Sequence, residues 1–450
     1  MQVPERSILK MSDRTSITLP SLLRLGLYQM AAGGLSVLFL GVLNRVMRVE
    51  LGLDLLAISL MIGGGHYLGA LIAIPFGYFS DTHPIFGYRR TFYVLGGALV
   101  TVLVLAGSPW VGLWLARSPA AWKVGLAFLY FLLEGISTYV AGTAYLALIA
   151  DRTTRATRGQ ATGLIWTLLM VGIIATGVST SFALREYHFQ GLVLLFAVGG
   201  TLAMALALAA LIGQERRTAV VPRRAKGGFR RALRLVLESR NSRRFGAFLL
   251  VSMFSYFMQD VLLEPFGGEV FGLSPAQTTR FNAYMGVGVV TGMLWGGMSL
   301  IPRFGKRRIT GYGVLILALS FGALTAIALA GQAGSLAPVI TLQGLGAGLF
   351  TVGGVALMMD MTSEQHTGLF VGAWTLVQAL ARGPSSLVGG ALHNMVSAMG
   401  ASPAQAYGAV FAFEGLGLLL AFVLLRGVAV ERFEQEVSSF STLAAEAMDG

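Results

Sequence analysis

Gly87-Tyr88-Arg89-Arg90 and Gly305-Lys306-Arg307-Arg308 decide how this chain is read, because the same basic signature recurs 218 residues further on. Each copy lies between two apolar stretches. A second motif repeats the relationship: Asp151, Gly159 and Gly163 return as Asp360, Gly368 and Gly372 at a constant offset of 209. Two motifs recurring in corresponding loops mark a chain built from two similar halves.

Outward from these loops lie apolar stretches long enough to cross a bilayer, which takes about 20 residues. They fall at 22–43, 56–79, 91–115, 124–149, 160–183, 190–212, 246–266, 275–299, 309–331, 337–359, 368–396 and 404–426. The expectation is an all-α membrane protein with twelve transmembrane helices, six in each half. Composition agrees: of 450 residues, 55% are hydrophobic and only 12% charged. A soluble globule of this size lacks the polar surface to cover so much apolar material, and a disordered chain would not carry it. Cysteine is absent, which removes disulfides, thiolate metal sites and thiol catalysis together. The first span lacks a small-residue cleavage site followed by a soluble domain and is read as retained.

The expected organisation is a cytoplasmic segment 1–21, a six-helix bundle 22–212, a basic linker 213–245, a second bundle 246–427 and an acidic tail 428–450. Orientation follows the basic residues. With the N-terminus in the cytoplasm, twenty-five of the 33 Lys and Arg fall on the cytoplasmic side, eleven of them in the linker, and six fall outside. Both termini are therefore expected in the cytoplasm. Ser118-Pro119-Ala120, Ser274-Pro275-Ala276-Gln277 and Ser402-Pro403-Ala404-Gln405 read as helix starts on the outer side, with a capping Ser before Pro. Within the linker, Phe229, Leu233 and Val236 alternate with Arg230, Arg231 and Arg234 as on an interfacial helix. Anionic lipid or an acidic partner suits that belt; nucleic acid does not. The acidic tail either covers the belt or stays solvated.

Enzyme motifs are missing: no Walker A sequence, no dinucleotide fingerprint, no nucleophile elbow. No enzymatic activity is expected. The histidines show no metal-ligand spacing, so no metal site is expected either.

The chemistry left inside the membrane is sparse, and intramembrane charge is a functional signal by default. Asp260 and Glu264 stand four apart and are expected on one helix face, needing a shared proton or a cationic partner. They would line a cavity mouth or couple protons; alternatively Glu264-Pro265 and Gly267-Gly268 cap the helix. Gln259 projects about 100° away. Glu134 and Glu414 are isolated acids, Arg24 suits snorkelling to the interface, and Arg382 precedes Gly383-Pro384.

A six-plus-six repeat joined by a basic linker resembles the major facilitator superfamily. Gly77-Tyr78-Phe79-Ser80-Asp81 with Gly87-Tyr88-Arg89-Arg90 is similar to that superfamily's loop between helices 2 and 3. The resemblance implies a gating latch of Asp81, Arg89 and Arg90, with Asp151 and Arg158, and a cavity-facing fourth span carrying Glu134. In the second copy Pro302 stands where an acid is expected. Leu40-Gly41-Val42-Leu43-Asn44-Arg45-Val46-Met47, Phe76–Pro84 and Gln259–Leu273 resemble the PucC family, the bacteriochlorophyll delivery branch of the superfamily. That likeness implies a carrier or assembly factor for (bacterio)chlorophyll, with antenna polypeptides or pigment-synthesis enzymes as partners. His66, after Gly63-Gly64-Gly65, then becomes a candidate axial ligand for a chlorophyll magnesium. The candidate substrate contacts are His66, Glu134, Gln259, Asp260 and Glu264. A helix-packing role for His66, a proton-coupled carrier of a small solute and a non-transporting partner of antenna helices remain as alternatives.

Overall fold

The computed structural model describes residues 18–71, 83–118, 120–153, 155–215, 217, 240–360 and 367–428. Almost all of them are helical. The helices are α1 (Leu19–Glu50), α2 (Leu55–Leu71), α3 (Thr91–Arg117), α4 (Ala121–Arg152), α5 (Arg155–Ala183), α6 (Phe189–Leu211), α7 (Asn241–Val261), α8 (Pro275–Phe304), α9 (Lys306–Ala330), α10 (Ala333–Met358), α11 (Thr367–Ala398) and α12 (Pro403–Arg426). Among the described residues nine helices are long and apolar enough to cross a membrane. A tenth arises when α7 is joined to its continuation Leu263–Phe271, from which it is bent by 46°. Each expected span has a helix at its position, although the described part of α2 is a shorter apolar helix.

Local sequence explains the boundaries. Ser274 and Ser402 form capping boxes with Gln277 and Gln405, each ahead of a Pro in the first turn. The third expected start differs. α4 begins at Ala121 after an uncapped Ala120, and the Ser118 hydroxyl accepts instead from the Lys123 ammonium.

The repeat seen in the loops reappears in the packing. In the first half α1 packs on α5 and α6, α3 on α4 and α6, and α2 on α4. In the second half α7 packs on α11 and α12, α9 on α10 and α12, and α8 on α10. Every pairing returns with each helix number raised by six. Phe39, Phe131 and Phe196 centre one apolar core; Phe248, Phe321 and Phe411 centre the other. The outer helices leave Leu103, Leu202, Leu319 and Leu416 exposed, the surface expected against lipid rather than water.

The halves meet along a seam of two symmetric contacts, α2 with α11 and α5 with α8. Ser59 and Gly63 of α2 oppose Gly390 and Ser386 of α11, and a methyl group on either glycine would strike the opposing serine. Small residues four apart on both helices allow this close approach. At the end remote from residues 18 and 428, three polar ties close the seam. Arg48 Nε lies 2.9 Å from Glu269 Oε1, Arg45 donates to the Leu273 carbonyl at 2.7 Å, and Asn394 donates to Asp54 at 2.7 Å.

Candidate functional site: a buried histidine–carboxylate pair and the seam beside it

His66 follows directly on a π-helical stretch, Ser59–Gly65. Such wide turns shift the register of the residues that follow them and recur at functional positions. Gly65 and Gly69 let α2 lie against the α4 backbone near Phe128, Leu132 and Gly135. That approach brings His66 Nδ1 to 2.6 Å from Glu134 Oε2, while Thr138 donates to the other carboxylate oxygen at 2.8 Å. Both partners are buried, Glu134 at 2% exposure and His66 at 9%. Phe39, Tyr67 and Tyr139 surround the imidazole, with ring centroids 4.9–5.4 Å away. A carboxylate on Nδ1 fixes the tautomer and leaves Nε2 as the ring's coordinating nitrogen. The sequence presents these two residues as separate candidates 68 positions apart; only helix packing pairs them.

The pair borders a partly open pocket of about 120 Å³ inside the first bundle. Thr101 and Thr138 add hydroxyls at its polar side, and α1, α3, α4 and α6 supply apolar walls.

On the neighbouring residue the chemistry turns toward the seam. The Tyr67 hydroxyl donates to Asp260 Oδ2 at 2.6 Å, linking α2 of the first half to α7 of the second. The Arg382 guanidinium sits 3.9 Å above the Phe257 ring, in electrostatic range of Asp260, Tyr67 and Tyr139. Asp260 thus has the cationic neighbour that its position in an apolar helix calls for.

Glu264 does not share that neighbourhood. The 3-10 turn Met258–Val261 and the bend that follows break the helical register, because a 3-10 residue advances about 120° instead of 100°. Glu264 accepts from Asn282 at 2.5 Å and abuts Gly41. The single face expected for Asp260 and Glu264 is therefore corrected to two sites. The alternative reading of Glu264-Pro265 and Gly267-Gly268 as a helix cap is also corrected: Leu263–Phe271 is helical and ends at Gly272, whose φ of 64° suits a glycine cap. Gln259 is 2% exposed, and Glu414 is fully buried with neither carboxylate oxygen hydrogen-bonded.

At the other end of the first bundle, Arg90 lies 3.4 Å from Asp151, an ion pair between two of the latch candidates. Asp81 and the Arg158 side chain lie outside the described residues, as do the Phe229–Leu237 stretch and the acidic tail. A residue that the sequence reading missed stands beside this pair. Glu215 accepts from the backbone N–H groups of Arg89, Arg90 and Thr91 and from the Thr91 hydroxyl, at 2.7–3.1 Å. A carboxylate there satisfies free N–H groups at the start of α3 and faces the positive end of its dipole. Its only sequence signal is an acid just past the end of α6. Arg24 caps that same C-terminal end of α6, donating to the carbonyls of Ala209 and Ile212. Among the described residues no three His, Asp or Glu gather as metal ligands would.

Two six-helix halves with one repeated pairing scheme define the fold of the major facilitator carriers. A D-xylose-proton symporter structure superposes with a TM-score of 0.65 at 17% identity, covering 88% of this chain and 96% of that one, a likeness of fold alone. Residues 42–433 match the family model described as PUCC protein, and the chain belongs to that family. It is 32% identical to a protein of Rhodobacter capsulatus named "Bacteriochlorophyll synthase 44.5 kDa chain", over 91% of this chain and 95% of that one. It is 30% identical to "Protein PucC" of Rhodovulum sulfidophilum, over 84% and 86% of the two chains.

Proposed function

We propose that this protein is a non-enzymatic membrane carrier or assembly factor that handles (bacterio)chlorophyll for insertion into light-harvesting antenna complexes. The observation that carries the reading is the His66–Glu134 pair. An imidazole whose Nδ1 is committed to a carboxylate presents Nε2 to a magnesium centre, the arrangement by which metal-binding histidines are oriented. Membership of the PucC family and the pigment-related name of one relative support the same cargo. Gln259, Asp260 and Glu264 are the second half's contacts in this scheme. The partners are antenna polypeptides or pigment-synthesis enzymes, with anionic lipid at the basic linker. The membrane is the cytoplasmic or intracytoplasmic membrane, both termini in the cytoplasm.

Purification from a phototrophic host in mild detergent tests this reading. Red-shifted pigment bands that survive washing are expected, and His66→Leu is expected to lose them while expression is maintained. A colourless protein that acidifies vesicles when a solute is added would replace the proposal with a proton-coupled solute carrier. The Tyr67–Asp260 bond beside Arg382 is the observation that favours this second reading.

A further inference from the structure

The cavity beside His66 lies within one bundle, between α1, α3, α4 and α6, and not between the two halves. Its chemistry is sorted along its length. α1 and α3 run away from the end where the chain enters the bundle, and α4 and α6 run back toward it. His66, Glu134, Thr138 and Thr101 consequently stand at the deeper, polar end. Tyr28, Ala31, Ala98, Ala141 and Ala207 stand at the end nearer the start of α1. Tyr28 to Phe39 on α1 spans about 16 Å at 1.5 Å per residue. Ala31, Ala32, Ala98, Ala141, Ala203 and Ala207 contribute small side chains to the walls, beside the larger Leu35, Phe39, Val102 and Leu105. Tyr28 stands at the near end, its ring centroid 4.4 Å from that of Tyr145 with the two planes tilted by 34°. A gap of this kind forgoes the packing that a bundle core otherwise gains, and a long apolar occupant would restore it.

We propose that this slot binds the hydrocarbon tail of the cargo, holding one chain in the channel with the end that joins the macrocycle at the His66 side. The inference rests on the reading of the cargo as an esterified tetrapyrrole. The slot takes the chain, and the macrocycle stays outside its narrow walls. The ligand class is a single long hydrocarbon chain ending in an ester or alcohol oxygen. A free isoprenoid alcohol and the esterified tail of a pigment share that chemistry.

The test compares purified wild type with Ala98→Phe and Ala203→Phe, which fill the slot from two different helices. Each protein is titrated with bacteriochlorophyll, with its tail-free acid and with free phytol, following tryptophan fluorescence and thermal unfolding in detergent. Wild type is expected to bind the esterified pigment about tenfold more tightly than the tail-free acid, since a tail seated in the slot regains packing contacts that detergent does not supply. Both variants are expected to lose that preference while keeping their affinity for the acid. That retained affinity also shows that they are folded. Equal binding of the two pigments by wild type overturns the slot and leaves pigment handling intact. If wild type binds neither pigment, pigment handling fails, and phytol decides the slot: stabilisation of wild type but not of the variants upholds it. Absence of any phytol effect in that case overturns both.

Discussion

The His66 imidazole and the Glu134 carboxylate lie 2.6 Å apart inside the first bundle, although 68 residues separate them in the chain. Each is a costly group to bury, and each supplies what the other lacks: a donor on Nδ1 and an acceptor on the carboxylate. The pair should therefore behave as a unit. His66→Leu and Glu134→Gln are expected to show a coupling of about 0.6–1.7 kcal/mol, as for polar contacts between membrane helices. A double-mutant cycle on thermal unfolding in detergent measures it. Additive effects would mean that the two side chains do not depend on each other.

The pair also shows what the sequence does and does not make legible. Helix positions and the internal repeat were readable because each span must satisfy its backbone within itself and present apolar side chains to lipid. The pairing of helices was not, since Gly65 and Gly69 say only that something packs closely there. His66 and Glu134 stood out separately as polar groups in apolar spans, yet nothing in their spacing joined them. Asp260 and Glu264 misled in the opposite direction. Their spacing of four shares a face only in an unbroken α-helix, and the Met258–Val261 turn interrupts it. Glu215 escaped notice because its role depends on three backbone N–H groups more than a hundred residues earlier.

The Tyr67–Asp260 hydrogen bond crosses between halves at the depth where α7 is broken. Any motion that separates α2 from α7 must break it, while the pull of Arg382 on the same carboxylate stays within the second half. Tyr67→Phe removes only the hydroxyl and keeps the ring. The expected result is easier opening of the seam, read as faster maleimide labelling of a cysteine introduced at Asn44. The chain has no cysteine of its own, so such labelling has no background. Unchanged labelling would make the bond incidental to bundle motion.

The contact of Ser59 and Gly63 with Ser386 and Gly390 predicts a steric effect in place of a polar one. Gly63→Val and Gly390→Val each force a side chain into the opposing helix. Overpacking of this kind costs roughly 1–3 kcal/mol, relieved here when the halves move apart. Higher labelling at the remote end of the seam, with pigment affinity altered in parallel, is the expected outcome. Gly142→Val, where nothing lies within reach of an added methyl group, serves as the control and should change neither quantity.

Glu215 ties the segment after α6 to the first turn of α3, next to the Arg90–Asp151 ion pair. Glu215→Ala leaves the N–H groups of Arg89, Arg90 and Thr91 without their carboxylate. Loss of a helix N-terminal cap costs about 0.5–2 kcal/mol. Glu215→Gln keeps an oxygen acceptor but gives up the charge that favours the positive end of the helix dipole, so its cost should be the smaller of the two. Because the damage is confined to one helix end, amide hydrogen exchange should rise at residues 89–93 in both variants, more in Glu215→Ala, and stay unchanged at the start of α9. Equal exchange in wild type and both variants would show that Glu215 does not hold the start of α3.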